Sequence, residues 1–268
     1  MKLLILSLLS GVFPCLYAVN NLRLPDMRSV GMGECGITQS FLFNPALIGR
    51  KSYKSLDISY FNRYGLKELG VINLSFSYPA TFLPIGVNIS SFGYDRYRES
   101  MFRIFLGKSL NEKWNIGISI QYSIIQTELT EGHPQYLSTD IGIIYSPVEK
   151  LLIGMLIMDL PSVAIKKEDI DTNYFMSYSI QIGFQWEVIN SLLIVGNLET
   201  NKQTTLTGCA GLEYQLYKQF YVRAGIKATP LLPTLGVGYR FSCFTVDVAT
   251  VYHPVLGIST GIGLKYSF

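Results

Sequence analysis

Charge is scarce in this chain. Of its 268 residues, Asp, Glu, Lys and Arg make up 15%, against 49% hydrophobic residues. A soluble domain usually carries about 25% charged residues. The formal net charge is +3, and the longest basic run is Lys166-Lys167, followed at once by acids. Binding to nucleic acid needs a clustered basic face that neutralises phosphates, so no nucleic-acid partner is expected. Histidine is rarer still. His133 and His253 stand too far apart in sequence to suggest a metal site; the first reads as a solvated loop residue, the second as a strand end. Of the four cysteines, Cys35, Cys209 and Cys243 show no close spacing. They give neither a disulfide framework nor a zinc pattern and read as small packing residues. There is no Gly-x-Ser-x-Gly elbow and no phosphate loop. Residues Gly31 to Gly36 have the spacing Gly-x-Gly-x-x-Gly, but no strand precedes them and no long helix follows, so dinucleotide binding is rejected. No cofactor and no enzymatic activity are expected.

Long apolar runs are also missing. Past the first 18 residues no stretch of about 18 apolar residues occurs, so no spanning helix is supported. Met1-Lys2, the apolar run Leu3–Leu9 and Leu16-Tyr17-Ala18 describe a cleavable signal peptide over 1–18. Its removal takes Lys2 and leaves +2. Cys15 raises a lipidation reading, but Val12-Phe13-Pro14 puts no small residue just before it.

What the chain has is aromatics, 18 Tyr and 15 Phe, and alternation. Trp114, Ile116, Ile118, Ile120, Tyr122 and Ile124 share one face of an extended segment; Asn115, Gly117, Ser119, Gln121 and Ser123 share the other. Tyr174 to Trp186 and Ile258 to Phe268 repeat the pattern. Strands in soluble sandwiches run to about 5–6 residues; these run to about 11, the length that crosses a bilayer at a tilt. Aromatics near the ends of the apolar rows match interfacial girdles. The reading is therefore all-β: a closed antiparallel transmembrane β-barrel over 52–268 in the bacterial outer membrane. Fourteen strands are expected, at about 52–62, 67–78, 84–93, 100–109, 113–127, 136–146, 150–160, 173–187, 191–200, 203–216, 219–228, 233–241, 244–253 and 258–268. Twelve is the alternative count, because 150–160 and 191–200 alternate poorly. Turns are alternately short and longer, as expected for periplasmic turns and outer loops.

Residues 19–51 do not alternate. Asn44 as cap, Pro45 at the first helical position and Gly49 after the end spell one short helical turn. A fourteen-stranded wall encloses more space than its own side chains fill, so this segment is expected to fold inward as a hatch. A periplasmic tail is the competing reading. The inward rows carry Asp57, Arg103, Asp140, Glu213, Arg223, Lys227, Arg240, Asp247 and Lys265. Both signs are present, so pairing across the lumen or with the hatch is expected. Gly154, Gly183, Gly196, Gly236, Gly238, Gly261 and Gly263 suit close approach of hatch backbone or strand bends.

Met27-Arg28-Ser29-Val30-Gly31-Met32-Gly33-Glu34-Cys35-Gly36, followed by Phe43-Asn44-Pro45-Ala46-Leu47-Ile48-Gly49, resembles the N-terminal signature of FadL-type barrels. Leu235-Gly236-Val237-Gly238-Tyr239 and Tyr266-Ser267-Phe268 resemble their closing strands. The resemblance implies a fourteen-stranded barrel with a hatch built on Gly31, Gly33, Gly36, Asn44, Pro45 and Ala46. It also implies that Tyr266 and Phe268 form a terminal signal read by the barrel-assembly machinery. The chain is shorter than the fatty-acid transporters of that superfamily and has small outer loops. It is therefore most similar to the PorV/PorQ-like branch tied to type IX secretion in Bacteroidetes. That implies an accessory or scaffold for secreted proteins, besides the surrounding outer-membrane lipid. Passage of small hydrophobic molecules through a hatch-gated lumen with a lateral opening is the alternative. An outer-membrane lipase or protease is the third, and two histidines offer it little.

Overall fold

The alternating segments close into a ring. The computed structural model describes residues 22–23, 26–128, 133–166, 178–201 and 206–268. Its strands are β1 (Ser55–Asn62), β2 (Gly70–Tyr78), β3 (Ile85–Tyr94), β4 (Tyr97–Ser109), β5 (Trp114–Thr127), β6 (Gln135–Val148), β7 (Leu151–Met158), β8 (Ser162–Lys166), β9 (Ser179–Ile189), β10 (Leu192–Asn201), β11 (Thr207–Tyr217), β12 (Phe220–Lys227), β13 (Leu232–Phe241), β14 (Phe244–His253) and β15 (Gly257–Ser267). Sequence neighbours pair antiparallel from β1 to β7 and from β9 to β15; β7 pairs with β9, and β15 returns to β1. Fourteen strands make the wall, and β8 is an extra strand held by β6. The predicted signal segment 1–18 lies outside the described residues.

The rows sort as the alternation requires. Ile58 is 49% exposed and Ser59 5%; Ile120 is 45% exposed and Ser119 1%. Several dozen large apolar side chains stand exposed, while Ser, Asn, Asp and Arg are buried. Leaving one such apolar side chain in water forfeits about 1.5–3 kcal/mol. An outer face built of them demands hydrocarbon as its solvent. Aromatic pairs mark the rim that carries the start of β1 and the end of β15: Trp114 stacks on Tyr145 at 4.4 Å, and Tyr266 on Phe268 at 5.1 Å. Lys54 and Phe268 close that rim with two backbone hydrogen bonds.

One strand appears where a loop was expected. The predicted strand 150–160 is β7, which follows β6 as far as Ile157 opposite Ile141, and β8 lies in the stretch 161–172 expected as a loop, pairing with β6 from Ser162 opposite Ser138. Between them Asp159 takes φ +57°, and Leu160 and Pro161 both bond to the backbone of Thr139. More residues on one strand than on its partner make a bulge and bend the wall. Among the described residues the β7–β9 ladder runs as far as Met158 opposite Ser179. Among the described residues β8 has no bond to β9. The predicted strand 173–187 is seen from Ser179, and the predicted 203–216 from Thr207. Residues 173–177 and 203–205 lie outside the described residues.

Candidate functional site

The residues before the wall are seated by glycines. Asp26 caps α1 (Met27–Val30), accepting the Ser29 N–H at 2.8 Å. A tight turn follows, with Gly33 at φ +79°. A Cβ on Gly33 would stand 2.7 Å from the Ile226 carbonyl oxygen and 2.9 Å from that of Ala210. Only glycine can lie so close to β11 and β12. Further on, the Asn44 side chain accepts the Ala46 N–H at 3.1 Å and starts the 3-10 helix Pro45–Arg50. Gly49 sits within this helix, one place before its end. The helix rests on Gly107 of β4, Gly117 of β5 and Gly142 of β6, where an added Cβ would strike Pro45, Ala46 or Asn44. Gly31 meets Gly236 of β13, Gly36 lies beneath the Phe43 ring, and Met27 covers Gly261 and Gly263 of β15. Residues 27–50 thus touch inward rows on both sides of the ring.

Two buried ion clusters join this segment to the wall. In the first, the Arg23 guanidinium reaches Asp140 at 3.1 Å, Asp159 at 2.7 Å and Gln121 Oε1 at 2.7 Å. Arg103 also holds Asp140 at 3.0 Å and donates to the Leu42 carbonyl at 2.6 Å. Ser119 donates to Asp140 and Ser138 to Asp159, both at 2.8 Å. Burial disfavours the charge on Arg23, but Asp140 and Asp159 outweigh it and hold the guanidinium above its ordinary range. In the second cluster, Glu213 accepts from Arg28 Nε at 2.8 Å and Nη2 at 2.7 Å and from Arg223 Nε at 2.6 Å. Arg223 reaches on to Asp247 at 2.6 Å. A third contact joins Lys227 to Glu34. Burial raises the Glu34 carboxyl, but the Lys227 ammonium outweighs it and leaves it below the usual carboxylate range. A buried charge is tolerated when paired and hydrogen-bonded, and these groups meet that condition.

The structure pairs Arg103 with Asp140, Arg223 with Glu213 and Asp247, and Lys227 with Glu34. Three other lining residues depart. Arg240 lies on the same side of β13 as Gly238, but so near the rim that it is exposed, with its guanidinium 5.2 Å from the Tyr221 ring. Asp57 and Lys265 face each other across β1 and β15, yet neither forms an ion pair among the described residues. Lys265 leans towards the Tyr53 ring, 6.0 Å away. Alternation identifies a face; it does not give depth along the barrel axis, and depth decides whether a charge meets water. Arg23, Arg28, Glu34 and Asp159 carry no alternation at all and were not anticipated. Among the glycines, Gly196 supports the Phe184 ring, Gly183 the Asn197 side chain and Gly238 the Asp247 and Arg223 side chains, so none of these three meets the N-terminal segment. Gly107, Gly117 and Gly142 do. His253 is structural: its Nδ1 accepts the N–H groups of Val255 and Leu256 at 3.2 and 3.1 Å.

The cysteines also differ from expectation. Cys35 and Cys209 form a disulfide across 174 positions, so they are not mere packing residues. It fastens the N-terminal segment to β11. Spacing in sequence gives no hint of a pair brought together only by barrel closure. Cys243 is exposed and outside the disulfide.

Fold and site define a class: a fourteen-stranded transmembrane barrel whose own N-terminal segment is bonded to its inner wall. Solved structures share this fold. A chain described as the CymD monoaromatic hydrocarbon channel superposes with a TM-score of 0.62 at 15% identity, covering 90% of this chain and 96% of that one. The toluene transporter TodX of Pseudomonas putida gives 0.59 at 12% identity, covering 94% and 97%. A FadL homologue of Pseudomonas aeruginosa gives 0.56 at 11%, covering 91% and 97%. At such identities the likeness is one of fold. No family model and no curated protein matches the chain. The FadL-type fold expected from the sequence stands; the PorV/PorQ-like branch gains no support from these neighbours.

Proposed function

We propose that the chain is a bacterial outer-membrane channel for small hydrophobic molecules, with residues 22–50 as its hatch and a lateral exit beside the break between β7 and β8. The observation that carries this reading is the break itself. Along β6 the pairing of β7 gives way to that of β8 across a bulge, and Asp159, the positive-φ residue in that bulge, is held by Arg23 of the N-terminal segment. A hydrophobic solute gains nothing from a polar lumen along its whole length, so an exit through the wall into the bilayer suits it. The named functions of the solved barrels of like fold support the same substrate class. They favour it over a secretion scaffold, which rests on sequence resemblance alone. In this reading the partners are outer-membrane lipid, the hydrophobic solute and, during assembly, the machinery that reads Tyr266 and Phe268.

The test is whole-cell uptake. The full chain is expressed in an outer-membrane host lacking its own hydrophobic-compound channels, and entry of labelled toluene and of a polar antibiotic is timed. Toluene entry should rise several-fold with antibiotic entry unchanged. Toluene entry equal to that of empty-vector cells, with the barrel folded in the membrane, overturns the proposal.

A further inference from the structure

The hairpin β2–β3 is framed by two cations and contains none. Residues 70–94 hold no Asp, Glu, Lys or Arg. On one flank, Lys54 stands just before β1 with its ammonium 5.2 Å from the Tyr78 ring and 5.9 Å from that of Phe268. On the other, Lys108 ends the outward row of β4, with its ammonium 4.7 Å from the Phe82 ring. Phe82, in the β2–β3 turn, is 79% exposed. Both lysines are exposed, and neither forms an ion pair among the described residues. Their strands are three steps apart, about 14 Å at the usual strand spacing, and both side chains lean towards the hairpin between them. Cation–π contact of this kind holds an ammonium in place without neutralising it. The Thr81 hydroxyl, at the tip of the turn, also has no hydrogen-bond partner among the described residues.

Above the two ammonium groups the hairpin is oily. Leu74 pairs with Ile89 and Phe76 with Val87 on the outward face. Two fixed, unneutralised cations at the edge of an apolar strip fit one kind of partner. They suit an amphiphile with a negative head and hydrocarbon tails at the membrane boundary.

We propose that this rim binds an anionic glycerophospholipid, its phosphate between Lys54 and Lys108 and its acyl chains along Leu74, Phe76, Val87 and Ile89. The site lies on the outer face of the wall, so it is independent of whether a hydrophobic solute crosses the lumen. Each lysine should favour the anionic lipid by about fivefold, and salt should weaken that preference.

The full chain is reconstituted in phosphatidylcholine nanodiscs containing a minor fraction of phosphatidylglycerol or of cardiolipin, then released gently. Retained lipid is counted by native mass spectrometry. The anionic lipid should be enriched at least fivefold over phosphatidylcholine. Lys54→Gln with Lys108→Gln should remove the enrichment, while Lys54→Arg with Lys108→Arg keeps it. Heat-modifiable gel migration reports that each variant is folded; if the glutamine pair does not fold, the single variants are read instead, each expected to lose part of the enrichment. Stronger retention of cardiolipin than of phosphatidylglycerol supports a bridge of two phosphates across the lysines; equal retention supports a single phosphate. No enrichment in the unmodified chain, or enrichment that survives the glutamine substitutions in a folded barrel, overturns the proposal.

Discussion

Arg23 Nη2 and Asp159 Oδ1 meet at 2.7 Å, tying the start of the N-terminal segment to the bend in the wall. Asp159 also takes hydrogen bonds from Ser138 and Gln121, and its backbone N–H donates to Asp140 at 3.0 Å. The bend and the segment are therefore one bonded unit.

Arg23→Ala should loosen that unit. Removing one member of a buried ion cluster costs about 3–5 kcal/mol, because the partner charges stay behind. Here Arg103 and the hydroxyls retain part of the compensation for Asp140, so the lower end of that range is expected. Thermal unfolding in detergent should show a lower midpoint, and whole-cell entry of a bulky lipophile should increase. A lower midpoint with unchanged entry would mean that the contact is structural and does not seal an exit.

Gly117→Ala should disturb the seat of the 3-10 helix. An added Cβ would collide with backbone atoms of Pro45 and Ala46, which cannot swing aside as a side chain can. Overpacking costs about 1–3 kcal/mol. Hydrogen exchange should quicken over residues 44–50 while the wall strands stay protected; unchanged exchange would refute the close approach.

Breaking the disulfide should matter in one place. Cys35→Ser with Cys209→Ser removes a link across 174 positions, with an expected loss of about 2–4 kcal/mol. Non-reducing gels should show a shift on reduction in the unmodified chain and none in the variant. Protease access should rise near residues 31–36. Equal migration with and without reductant in the unmodified chain would show that the link does not form.

The two faces should each be sensitive to a different change. Ile120→Arg places a cation on the outward row and should cost about 2–4 kcal/mol near mid-depth. Ser119→Ala, one residue away and inward, removes a hydrogen bond to the buried Asp140 and should cost about 1–3 kcal/mol. Urea titration of folding into lipid vesicles measures both. Free acceptance of Ile120→Arg would contradict a lipid-facing row.

Lys51 should make stability pH-dependent. It precedes β1, with its ammonium 2.8 Å from Ser55 Oγ and 4.8 Å from the Phe41 ring. Burial first, then the nearby Lys265 ammonium, lower it to about 7, against opposing pulls from Asp57 and Asp26. The folded chain then releases this proton near pH 7, while the unfolded chain holds it to the ordinary lysine range. Between those limits the unfolded state binds more protons, so stability rises with pH. Below pH 7 both states are protonated and the contribution is lost. Urea midpoints at pH 6, 8 and 10 should climb, and Lys51→Met should flatten the climb.

The chain itself dictates the wall. Period two places Ile58 outside and Ser59 inside wherever the strand lies, because successive side chains of an extended backbone point to opposite faces. Asn44-Pro45 likewise dictates its helical turn, because cap and first turn are local. Even the inward parity of Glu213, Arg223 and Asp247 follows from alternation. Closure decided the rest. Cys35 meets Cys209, and Arg23 meets Asp159 across 136 positions, only because the ring brings remote strands around a segment that has no periodicity of its own. The bulge at Asp159 and the exposure of Arg240 belong there too. A local pattern specifies which way a side chain points; depth in the barrel and the partner opposite are set by the packing of the whole.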